Sequence, residues 1–499
     1  MSGTGEEVGG DDASKVASAD RKRRGAWFTP DHLVAQVVDA VVDDEFVRRC
    51  AGRRIRVLDP ACGDGRFLVA AGAAIRSHRG EPELVGVDID ASTVASIDPA
   101  TGIKAVCADA LVPTWHGDHG LDEFDLIIGN PPYLSQMSSA TTRGGSSRRG
   151  GGPYADAAAE FLSLGAELVR ADGGRLAYVL PQSILTVRDA EPIRRDIDER
   201  STMFWSTWTG ERDFDAQVVT CAVAFEFSTD RPPPFGHPQP SGNQPSGNQP
   251  SGNWSSVVTT RSGVPAMAAV FDHPHPPAGR LGDRARLNAN FRDEYYGMVP
   301  AVGDHEQGPA LITSGLIDPG VCRWGERSVR FAKQRFDAPR IDLSMLDDKM
   351  LGWARKRLIP KVLIANQTRV IEAVCDPSGA WLPGVPVVAA YPTSADPVEA
   401  ARVAWEITAV LLSPSVSVWA WHQRGGTGLS SNTIRVGPTM LADLVWPAGS
   451  LDAAVSALQA CDVVRAGVLA DEAYGIDAQD ADEALAWWRP VVERINGRP

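Results

Sequence analysis

Between Ile55 and Phe227 short apolar runs recur, separated by polar or glycine-bearing segments. The runs are "IRVL", "LVGVDI", "KAVCA", "FDLIIG", "GRLAYVL" and "VVTCAVAFEF", and their length and β-branched content predict strands. Between several of them lie stretches with apolar residues at helical spacing, notably "GRFLVAAGAAIRS" and "AAAEFLSLGAELVRA". Strands alternating with helices predict a mainly parallel sheet with helices on both faces.

The texture then changes. "RPPPFGHPQP" leads into "PSGNQPSGNQPSGN" (Pro240 to Asn253), nearly three copies of a five-residue unit that has no core of its own and reads as a linker or surface insertion. Further on, "KVLIANQTRVIEAVCDPSGAWLPGVPVVAAY" reads as strands around an Asp-Pro-Ser-Gly turn, and the last fifty residues read as acidic helices. A chain of 499 residues exceeds the usual single core. The expected division is a tail at 1–24, an α/β domain at 25–230, a linker at 231–253, a second domain at 254–450 and a helical segment at 451–499.

Composition is that of an ordinary soluble protein, 43% apolar and 22% charged. The first residues are polar, and no apolar run is long enough to cross a bilayer, so a cytoplasmic protein without a membrane partner is expected. Seven scattered cysteines form no CxxC pair; neither a disulfide framework nor a metal site is expected. The net charge is −14, yet Arg323 to Lys361 holds eleven basic residues against five acids. A local basic face therefore remains open to a polyanion.

Three acids stand at successive strand ends. "VLDPACGDGRFL" (Val57 to Leu68) is a strand, a turn containing Gly63 and Gly65, and a helix start whose free amides and missing side chains let a ligand approach closely. It is neither GxGxxG nor a P-loop. "VGVDID" sets Asp88 at the next strand end, where a carboxylate can take both hydroxyls of a ribose, and "CADAL" sets Asp109 after the third. Each Asp alone also suits a helix cap. Together they suit a nucleoside carrying positive charge better than a phosphate.

These strings resemble the S-adenosylmethionine-dependent amino-methyltransferases acting on DNA, in particular the N6-adenine group. "GAWFTP" (Gly25 to Pro30) resembles that family's N-terminal cofactor motif, "DPACGDGRFL" its principal cofactor motif and "NPPY" its catalytic one, in the order called gamma. The resemblance implies S-adenosyl-L-methionine as cofactor and a doubly wound, mainly parallel seven-stranded sheet of the class I methyltransferase type. It also implies a C-terminal mixed α/β target-recognition domain. By the same resemblance, Thr29 and Pro30 contact the methionine portion, Asp59, Pro60, Ala61, Cys62 and Gly63 line the cofactor, Asp88 holds its ribose and Asp109 accepts from its adenine amine. Asp64 departs from the commoner Ser or Thr, and Asp88 from the frequent Glu.

An aromatic amine is a poor nucleophile, because its lone pair is delocalised into the ring. The side-chain carbonyl of Asn130 and the backbone carbonyl of Pro131 can each accept one of its N–H groups, turning the lone pair outward without a dedicated base. Pro131 and Pro132 restrict the backbone that carries these oxygens. Tyr133 offers a face for a base rotated out of its stack. In the family a second ring stands before the last strand; Phe214 is the candidate, and the same position also suits a core residue. "TTRGGSSRRGGG" brings Arg148 and Arg149 close after the catalytic motif, as a phosphate-touching or a plain loop.

The second half is expected to contact double-stranded DNA through Arg355, Lys356 and Arg357, and through the loop holding Gln423, Arg424 and Asn432. The function implied is a site-specific adenine methyltransferase of a restriction-modification or phage-defence system, with a restriction endonuclease or other defence subunit as a further partner. The alternatives are RNA or protein glutamine as acceptor, or a catalytically silent DNA-binding subunit.

Overall fold

The structure is a computed structural model, which describes residues 29–112, 115–118, 123–133, 149, 157–208, 219–229, 254, 256–259, 262–273, 276–289, 292–425 and 432–497. The chain divides into two compact units, Met1–Val257 and Val258–Pro499.

The first unit opens with helices α1 (Asp31–Val41) and α2 (Asp44–Arg49). Leu33, Val34, Val37, Val38 and Val41 recur at helical spacing, and that face of α1 is buried. Asp43 starts α2 by accepting the Phe46 N–H at 2.7 Å. Strands β1 (Ile55–Asp59), β2 (Pro82–Asp88), β3 (Ile103–Cys107), β4 (Leu126–Gly129), β5 (Arg175–Pro181), β6 (Ser201–Trp208) and β7 (Thr220–Phe227) form one sheet. Its order is β3-β2-β1-β4-β5-β7-β6. The first five strands pair in parallel, whereas β7 runs antiparallel to both β5 and β6. Helices α3 (Arg66–Ser77), α4 (Ala91–Ser96), α5 (Ala157–Leu168) and α6 (Glu191–Arg200) complete the α/β alternation. This is the doubly wound, mainly parallel seven-stranded sheet that the resemblance implies.

All six predicted runs become strands of this sheet. At its centre Val, Ile and Leu fill both faces: β4 is buried at every position, as is β5. The edge strand β6 is absent from the sequence-based set. Its "STMFWSTW" mixes hydroxyls with rings, alternates in burial and shifts register between Met203 and Trp205. The order also fixes where a ligand can sit. From β1 the chain builds outward to β3, then returns to β4 on the other side of β1, and such a reversal leaves a crevice at the carboxyl ends of the strands.

The second unit holds a four-stranded antiparallel sheet of Ala373–Asp376, Lys361–Ala365, Val387–Pro392 and Ala285–Ala289, in that order. A second four-stranded sheet of short strands and several two-stranded pairs accompany it. The helices Asp452–Gln459, Val463–Tyr474 and Ala478–Asn496 lie in the same unit, with Trp421 and Trp488 wholly buried. No single described helix is long and apolar enough to cross a membrane. The apolar pair Pro397–Leu411 and Pro414–Arg424 is bent by 69°.

Candidate functional site

At the end of β1 the backbone turns from Asp59 into α3. Gly63 and Gly65 take φ of +52° and +78°, conformations that side chains resist. The turn is laced to β2: Cys62 N–H donates to Val87 O at 2.9 Å, and Gly63 N–H donates to the Asp88 carboxylate at 3.0 Å. Asp88 also accepts the Asp90 N–H at 2.9 Å. Asp109, two residues past β3, accepts the Leu111 N–H at 3.0 Å. All three predicted acids thus stand at the same end of adjacent strands. Beside them two apolar side chains are left in solvent, Ile89 at 67% and Val112 at 40% exposure.

Asp59 differs from its neighbours. It is buried, and among the described residues the one hydrogen bond it receives comes from Ala61 N–H at 3.1 Å. Burial, reinforced by the charges of Asp88 and Asp64 and opposed by the Ala61 bond, pushes its carboxyl up to about 8. Burial beside the same acids pushes the Cys62 thiol well up, so this cysteine is a small apolar filler and no nucleophile. A Cβ at Gly129 would stand 2.5 Å from Asp59 Oδ1. Only glycine fits there, and the acid lies against the backbone that leads directly into Asn130.

Asn130 is half-buried, with Pro131 buried and Pro132 and Tyr133 half-buried behind it. The Asn130 amide nitrogen donates to the Thr29 hydroxyl at 2.9 Å, and Thr29 is 3% exposed. The Tyr133 hydroxyl donates to Asn130 Oδ1 and lies 3.3 Å from the Val179 carbonyl. The amide is therefore oriented: nitrogen toward Thr29, oxygen toward Tyr133.

Thr29 is itself held from the first turn. Arg66 donates to the Thr29 carbonyl, lies 3.4 Å from Asp31 and forms an ion pair with Asp64 at 2.7 Å. Sequence reasoning missed Arg66. The signal available was its place directly after the Gly65 turn, but its grip on a carbonyl 37 residues upstream is a tertiary fact. Asp64, the departure from Ser or Thr, serves as the partner of that arginine.

The basic candidates divide. Phe214 and Arg148 lie outside the described residues. The Arg149 side chain is almost buried, its guanidinium paired with Glu167. Arg355 and Lys356 are exposed where the helix Asp348–Arg355 ends. Arg357 folds back over the Trp353 ring at 4.5 Å and donates to the Trp353 carbonyl at 3.3 Å. Arg424 closes the helix Pro414–Arg424, with Gln423 and Asn432 exposed nearby in sequence.

Residues 13–203 match the family model described as N-6 DNA Methylase. The chain is 26% identical over 178 residues to the type II methyltransferase M.CvrRI of Paramecium bursaria Chlorella virus XZ-6E, a stretch covering 36% of this chain and 41% of that protein. It is 32% identical over 158 residues to a type II methyltransferase of Thermus thermophilus, covering 28% and 32% of the two chains. The chain thus spans less than half the length of these relatives. Among solved structures, the type IIG restriction endonuclease BpuSI aligns with 96% of this chain and 67% of its own, at 12% identity and a TM-score of 0.41. The motifs Gly25–Pro30, Asp59–Leu68 and Asn130–Tyr133 all fall within the matched residues 13–203.

Proposed function

We propose that this protein methylates N6 of an adenine rotated out of duplex DNA, with S-adenosyl-L-methionine as donor, as the modification activity of a restriction-modification or defence system. The observation that carries the proposal is the oriented amide of Asn130, placed beside the Asp59 turn at the reversal of strand order.

The residues suit that cofactor. Asp59 is a buried acid with one hydrogen bond among the described residues, next to Asp88 and Asp64, an arrangement that favours a cation over an anion. Asp59 to Gly63 would line it, Asp88 would take the ribose, Asp109 the adenine amine, and the exposed Ile89 and Val112 offer apolar surface to a flat ring. When bound, the group supplies an activated methyl on a sulfonium.

The chain's own residues then perform the rest. Asn130 Oδ1 and the Pro131 carbonyl accept the two N–H groups of the target amine, which turns its lone pair away from the ring. An amide has an oxygen end and a nitrogen end, and only the oxygen end can do this. The Thr29 hydroxyl selects it by binding the nitrogen. Tyr133 donates to that oxygen, so the incoming amine replaces a phenol hydroxyl, and the phenol ring is released to stack on the base. Such an exchange keeps Asn130 hydrogen-bonded throughout. The second unit is assigned to target recognition.

Incubation with labelled cofactor and duplex DNA, followed by nucleoside analysis, tests the proposal. The expected product is N6-methyladenine. Label confined to RNA or to protein glutamine would overturn the choice of acceptor, and no label in any acceptor would overturn the enzyme reading.

A further inference from the structure

Eleven basic side chains between Arg323 and Lys361 look in the sequence like one basic face. In the fold they do not act as one. Arg323 and Arg327 both grip Asp318 at 2.9 Å, Arg340 stacks on Trp324 at 4.4 Å, Arg357 stacks on Trp353 and Lys361 is buried against Asp376. Of the remaining six, three are gathered on one short hairpin, Val329–Phe331 and Gln334–Phe336.

The hairpin has two faces. Val329 and Phe331 are buried, and the Phe331 ring lies 4.7 Å from that of Tyr295. Ala332 N–H donates to the Tyr295 hydroxyl at 3.0 Å, so the tip is pinned as well. The opposite face carries Arg330 and Arg335, which are direct cross-strand partners, both exposed. Lys333 stands at the tip. Ala332 and Lys333 turn the chain with φ of +48° and +66°, a reversal usually given to Asn and Gly. Among the described residues Arg330 and Lys333 have no acid within ion-pair distance, and Arg335 lies 4.0 Å from an Asp337 that is itself 83% exposed.

Two like charges directly opposed across a strand pair destabilise the pair. No close ion pair among the described residues offsets them, in a chain whose net charge is −14. A rigid, buried base that thrusts three cations outward is arranged for an external row of negative charge. We infer that the hairpin of residues 329–336 grips the phosphate backbone of duplex DNA. This rests on the reading of the chain as a DNA methyltransferase, and it moves the main phosphate-binding role from the Arg355–Arg357 segment to the hairpin.

The test is the salt dependence of binding to a duplex, for the full chain and for the triple variant Arg330→Gln, Lys333→Asn, Arg335→Gln. Removing one phosphate interaction lowers the slope of log K against log salt by about 0.9, so a drop of roughly two to three is expected. Affinity should fall about equally for duplexes of unrelated sequence, since phosphates carry no sequence information. The melting temperature should stay level or rise, because the opposed arginines are gone; a merely structural hairpin would give the reverse. Cofactor binding should not change. A slope unchanged in the triple variant, or reduced instead in Arg355→Gln, Lys356→Gln, overturns the hairpin assignment while wild-type binding keeps the enzyme reading. Wild-type protein that shows no salt-dependent binding to DNA overturns both.

Discussion

Both units bury carboxyl groups, and Asp59 of the first stands apart from the closed ones: Asp125 in its own unit is held by Arg53, Arg170 and the Arg56 N–H. In the second unit Asp376 is saturated: Lys361 Nζ lies 2.5 Å away, and Ser378 Oγ and the N–H groups of Ala380 and Trp381 also donate to it. Asp471 there receives the hydroxyls of Ser413 and Ser415. In the first unit Asp59 has one amide and the company of two further acids. Closed networks hold a fold together, whereas a buried acid left nearly unsatisfied is a cost that protonation or a ligand offsets. The difference sets Asp59 apart from Asp125, Asp376 and Asp471 without reference to any motif.

Four substitutions probe that contrast. Asn130→Ala removes the acceptor on which the amine depends, and methyl transfer should fall about 1,000-fold with cofactor affinity kept, as measured by single-turnover kinetics and equilibrium binding. Retained turnover would refute the role of Asn130. Lys361→Met opens the closed network and strands the Asp376 charge; stability should drop by about 3 kcal/mol, read by urea denaturation, while turnover per folded molecule stays level.

Asp59→Asn tests the open site. The folded carboxyl is raised to about 8 from the ordinary aspartate value of 3.8, so burial favours the protonated form. Its share of stability is present below the unfolded value and is lost as pH rises from about 4 to 8. The Asn variant should therefore be more stable than wild type at pH 8, by on the order of 2 kcal/mol, and should bind cofactor worse. Equal melting curves at pH 4 and pH 8 in the two proteins would contradict the assignment. The smallest effect is expected from Thr29→Val. Loss of the hydroxyl frees the Asn130 amide to turn over, lowering kcat about tenfold without weakening DNA binding, and Thr29→Ser should restore it.

Much of the first unit was legible in the sequence because its central strands are apolar on both faces and its acids stand where those runs stop. Asn130 was singled out by its resemblance to a catalytic motif, whereas the positions of Asp59, Asp88 and Asp109 follow from that rule. The edge strand β6 did not, since hydroxyl and aromatic residues at a sheet margin carry no clear period. Nor did Arg66, whose partners come from separate stretches of chain. The basic stretch misled for the same reason: charge counted along the chain ignores pairing across it, and Asp318, Trp324, Trp353 and Asp376 absorb five of the eleven cations.

Gly129 has a mechanical consequence. With no atom beyond its backbone between the Asp59 carboxyl and the peptide that carries Asn130, the proposed donor pocket and the proposed acceptor shelf share a wall one residue thick. Replacing that residue by alanine would drive a wedge between them and change the distance across which the methyl must pass, even though every chemical group on either side stayed in place.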